Sequence, residues 1–100
     1  MHKRVAELYS RGPRAERAKQ LRRITVMYDA ALNACRSKDA EALDSALEIL
    51  KGALDYSAWP ELAMNLNAHY DECHAKGREG RFAEAGRILA SLRKAWLDAK

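Results

Sequence analysis

A chain of 100 residues is about one domain long, with room for one core and none for a catalytic domain plus a second module. The apolar set is 48%, but 19 residues are Ala and 12 are Leu, while Val, Ile and Thr together number six; this excludes β-sandwiches and barrels and favours helix. The formal charge of +4 hides a division: residues 1–23 carry eight Lys/Arg against two Glu, a net +6, and the remainder is a near-neutral body of −2.

Residues 1–12 read as a basic N-terminal arm, and 13–100 as a single helical domain. The arm carries Val5, Leu8 and Tyr9 at helical spacing. No apolar run reaches the roughly 18 residues that span a bilayer. No secretory signal is expected, because Met1-His2-Lys3-Arg4-Val5 is not followed by an apolar stretch. Two cysteines make no disulfide framework, so a reducing cytoplasm is the expected location. The basic leader suits phosphates or an acidic protein surface; the plainer reading is a solvated arm.

Gly12-Pro13 punctuates the chain, and Pro is tolerated where a helix begins. A first helix is expected over about 13–37, with Leu21, Ile24, Tyr28, Ala31, Leu32 and Cys35 on one stripe. Asp39 is a good N-cap for a second helix from Ala40 to Leu54. Its core face is Leu43, Ala46, Leu47, Leu50, Ala53 and Leu54, with Gly52 read as a close-packing position.

Ser57 is the expected cap of a third helix over about Ala58 to Lys76. Leu62, Leu66, His69, Tyr70 and Cys73 line its face, and Gly77 and Gly80 end it. A fourth helix starts near Arg81 and carries Phe82, Ala85, Ile88, Leu89, Leu92 and Trp96. Four amphipathic helices with short connections fold economically as an all-α, antiparallel up-down four-helix bundle.

Candidate chemistry is sparse. His69, Cys73 and His74 are the best metal-like set, but His74 points about 100° away from the other two, and the paired Glu-x-x-His pattern of bundle di-metal sites is missing. The expectation is no metal, a packed His and buried thiols. Cys with His is the minimum for nucleophilic catalysis, yet nothing supplies an oxyanion site, so no enzyme is expected. Phosphate-cradling glycine motifs are absent, and no cofactor is expected. Tyr28, Tyr70, Phe82 and Trp96 fall on inner stripes; Tyr9 and Trp59 do not, which suits a peptide-recognition surface.

Three stretches carry a family resemblance. Ile24-Thr25-Val26-Met27-Tyr28-Asp29-Ala30-Ala31-Leu32 resembles the Leu-Tyr-Asp-Gly-Ala-Ile segment of the FliS family of flagellar export chaperones. Leu66-Asn67-Ala68-His69-Tyr70-Asp71-Glu72-Cys73 resembles that family's second Tyr-Asp stretch, with His69 where the family has an aliphatic residue. Leu92-Arg93-Lys94-Ala95-Trp96 resembles its closing Leu-Arg-x-Ala-Trp signature. Order and spacing agree over about residues 20–98.

The resemblance implies a non-enzymatic cytoplasmic chaperone that binds the disordered C-terminal segment of flagellin. It would prevent premature polymerisation and assist delivery to the export gate. It implies a client groove at Tyr28, Asp29, Leu32, Leu66 and Tyr70, and a self-capping arm bearing Val5, Leu8 and Tyr9. Ala-lined channels suit such a client, because a helix or extended peptide can lie in a shallow apolar groove. Two competing readings are a basic nucleic-acid-binding module, whose binding would weaken steeply with salt, and a helical dimerisation or scaffold domain.

Overall fold

The computed structural model describes residues 14–98, with side chains described at Lys19 and from Arg22 to Ala95. The arm with Val5, Leu8 and Tyr9 lies outside the described residues. Four helices follow one another: α1 (Arg14–Arg36), α2 (Ala40–Gly52), α3 (Pro60–Arg78) and α4 (Phe82–Asp98). Each packs on its two neighbours around a square, α1 on α2 and α4, α3 on α2 and α4. Neighbours run antiparallel: Asp29 of α1 meets Arg93 of α4, while Cys35, six residues on, lies beside Gly86. The protein is an all-α, up-down four-helix bundle. Among the described residues, no helix is long and apolar enough to cross a membrane.

Two of the three connections use the same device. α1 ends with Lys38 in the left-handed region (φ 55°), Lys38 N–H donating to Cys35 O and Asp39 N–H to Ala34 O. α3 ends likewise at Gly80 (φ 76°), with Gly80 N–H donating to Gly77 O and Arg81 N–H to Lys76 O. Both are Schellman closures, which satisfy the last carbonyls and reverse the chain within three residues. Asp39 then caps α2, its Oδ1 accepting from Ala42 N–H at 3.1 Å.

The second connection differs from expectation. α2 ends at Gly52, and α3 opens at Pro60 with Trp59 in the cap position and no side-chain cap bond. Ser57 is not the cap: its Oγ donates to Asp55 Oδ1 at 2.7 Å, and Ala58 N–H donates to the same oxygen at 3.0 Å. Asp55 thus organises the turn, because a short carboxylate reaches backbone donors two or three residues ahead. Gly52 has open space around it and serves no close packing.

The core is the expected stripe set with small corrections. Ile24, Tyr28, Ala31 and Cys35 of α1, Leu43, Ala46, Leu47 and Leu50 of α2, and Leu66, Tyr70 and Cys73 of α3 are buried with Ala85 and Leu89 of α4. Ala34 and Ala63 join them. His69 is exposed rather than packed, because it sits at the edge of its stripe, where an imidazole stays in water at no cost. Trp59 packs against the core, contrary to its reading as a free aromatic. Gly77 is buried inside α3 instead of ending it. A Cβ there would lie 2.7 Å from Leu43 Cδ2, so the missing side chain lets α2 and α3 approach.

Candidate functional site

The residues that carry the resemblance converge. Tyr28 and Tyr70, 42 positions apart, meet in the core with hydroxyl oxygens 2.7 Å apart and ring centroids 6.4 Å apart, tilted by 57°. Their neighbours reach outward: Arg93 Nε of the closing motif donates to Asp29 Oδ1 at 2.8 Å, joining α4 to α1. On the α2–α3 side, Lys51 Nζ donates to Asp71 Oδ1 at 2.6 Å. Each Tyr-Asp pair therefore places its ring inside and its carboxylate on a bridge to a neighbouring helix.

This divides the five expected groove residues. Tyr28, Leu66 and Tyr70 are together but enclosed, and offer nothing to a client while the bundle is closed. Asp29 and Leu32 are half-buried. The tyrosines act as an internal hydrogen-bonded tie between α1 and α3. A buried hydroxyl needs a partner, and one of these two donates to the other.

The open feature lies on the other side of Leu32. Between α1 and α4 runs a groove of about 430 Å³, floored by Leu32, Cys35, Phe82, Ala83, Gly86 and Ala90. Arg36, Lys38 and Arg87 stand at its rim. It exists because α4 presents two Ala and a Gly to a wall of larger α1 side chains. A Cβ at Gly86 would sit 3.7 Å from Cys35 Cβ, an ordinary contact, so the position is empty for want of a side chain and not for want of room. Of the expected site residues only Leu32 belongs to this groove. The small-residue spacing at 83, 86 and 90 was the available sequence signal for the rest.

The metal-like set does not assemble. His69 is exposed, Cys73 is wholly buried with its thiol 3.7 Å from Ala85 O, and His74 lies beside Asp44 Oδ1 at 2.8 Å. Among the described residues, no group of three or more His, Cys, Asp or Glu is placed to hold a metal ion. Cys35 and Cys73 are both free thiols.

Burial pushes the Cys73 thiol up from its ordinary 9.0 to about 12, with Cys35 and Glu72 adding to the rise and Lys76 opposing it. Burial raises Cys35 as well. In the unfolded chain Cys73 ionises near its ordinary value, whereas in the fold it keeps its proton. Stability is therefore lost as pH rises above about 9, by about 1.4 kcal/mol per unit for this thiol until about 12. Urea melts at pH 8 and pH 10 should show a decline about 1.4 kcal/mol smaller in Cys73→Ala than in the parent. Equal declines would mean that the thiol already ionises in the folded state.

No family model, curated protein or solved structure matches this chain at a significant level.

Proposed function

We propose that this bundle is a non-enzymatic chaperone for an amphipathic segment of a secreted filament subunit, the C-terminal segment of flagellin being the client that the sequence resemblance implies. The observation that carries the reading is the open α1–α4 groove, with its apolar floor and cationic rim. Such a channel covers the apolar stripe of a helix or extended peptide, and that apolar burial carries the affinity, the exposed rim cations adding little. The ordering cost falls on the client, which suits reversible hold and release. Support also comes from the closed interior. The paired tyrosines and the Asp29–Arg93 bridge tie α1 to α3 and α4, so the groove walls are held before a client arrives.

The test is calorimetric titration of the full chain with the C-terminal segment of a flagellin from the same cell, at two salt concentrations. One-to-one binding with a negative heat-capacity change and weak salt dependence is the expected result. Gly86→Leu should fill the groove without disturbing the helix, and weaken binding at least about tenfold while leaving the melting transition in place. Undiminished binding by that variant would remove the groove from the reading. Absence of binding by the folded parent would remove the chaperone reading itself.

A further inference from the structure

The bundle is electrically two-sided. α1 and α4 together carry nine Lys/Arg against four Asp/Glu, whereas α2 and α3 carry three against six. The positive charge is densest at the start of α1, where residues 14–23 hold five cations and one carboxylate. Among the described residues, Lys19, Arg22 and Arg23 are all exposed, and burial begins only at Ile24.

Next to these cations lies an apolar pair that the core does not use fully. Val26 is 58% exposed, and Met27 is half-buried beside it. Lys19, Arg22, Arg23, Val26 and Met27 stand at i, i+3, i+4, i+7 and i+8 along one helix face, around a shallow depression of about 430 Å³. Asp29, three residues beyond Val26, is engaged by Arg93.

All five residues come from a single helix. A docked helix or strand needs a channel with two walls, and the described residues around this depression supply one. A phosphodiester chain would pair with the cations and leave Val26 and Met27 in water. An anionic bilayer suits both halves of the face. Its headgroups meet the Lys and Arg ends, its interfacial region covers the apolar pair, and it needs only an exposed helix face to land on. We propose that the Lys19–Met27 face of α1 docks reversibly on anionic phospholipid membranes, independently of any client in the α1–α4 groove.

The probe is co-sedimentation of the full chain with vesicles of phosphatidylcholine alone, or with one third phosphatidylserine. Each engaged cation contributes about fivefold to partitioning. Binding to the mixed vesicles should exceed binding to neutral ones at least about tenfold and weaken as salt is raised. Arg22→Glu/Arg23→Glu should lower it at least about tenfold, whereas Arg78→Glu, a charge reversal at an exposed position of α3, should leave it within about twofold. Val26→Trp should strengthen it several-fold, because a ring at the headgroup level adds apolar contact; that variant tests the apolar half without touching the charges. Equal partitioning into neutral and anionic vesicles, equal loss in Arg78→Glu, or binding to duplex nucleic acid with none to either vesicle would overturn the proposal.

Discussion

Leu43→Ala is expected to lower the free energy of unfolding by about 2–5 kcal/mol, the range for emptying a fully enclosed leucine site. Leu43 has no exposed surface and fills the space left open by Gly77. The reverse change, Gly77→Leu, forces a side chain into contact with Leu43 Cδ2 and should cost about 1–3 kcal/mol, despite a gain in helix propensity of roughly 1 kcal/mol. The informative measurement is the double variant. If the two sites share one volume, Leu43→Ala/Gly77→Leu will cost clearly less than the two single changes combined, because each makes room for the other. Strict additivity in urea melts would show that α2 and α3 are separated by more than this contact.

Tyr28→Phe should cost about 0.5–1.5 kcal/mol, as should Tyr70→Phe, since either change removes the hydrogen bond between two hydroxyls enclosed in the core. Both rings are fully buried, and the 2.7 Å bond lies deep inside the bundle. Removing both hydroxyls eliminates donor and acceptor together, so the double Phe variant should again cost less than the sum of the singles. Circular dichroism melts of the four proteins close the cycle. A coupling energy near zero would show that the tyrosines are satisfied independently of each other. The client titration adds a second readout: if the pair serves only as an internal tie, the double Phe variant should bind like the parent.

The place of the tyrosines shows how far a motif can be read from sequence. Tyr28 and Tyr70 stand on inner stripes by periodicity and on a client groove by resemblance. The structure puts both inside. A resemblance transfers order and spacing, and in a bundle those are set first by packing. The Tyr-Asp pair holds the ring in the core and the carboxylate at the boundary. Asp29 meets Arg93, and Asp71 meets Lys51. His69 illustrates the opposite error: a residue three positions along a stripe shares its face only within about 60°, and a polar ring at that edge turns outward.

What the sequence determined by itself was local. Ala and Leu abundance, stripes at steps of three and four, the Asp39 cap, Pro60 at a helix start and Gly80 past a helix end specified four helices, with most boundaries within two residues of those observed. Each of these signals acts within one or two turns, so one chain suffices to read it. Only the tertiary structure decided which faces meet. It paired Tyr28 with Tyr70 and Asp29 with Arg93, put Gly77 against Leu43, and packed Trp59 on the core. It also left a groove where Gly86 faces Cys35, and set the basic α1 beside α4. Helical periodicity defines the apolar direction of each helix, but not the rotation and height at which it meets its neighbour. Those are set by side-chain interdigitation across the whole bundle, a property of four segments at once.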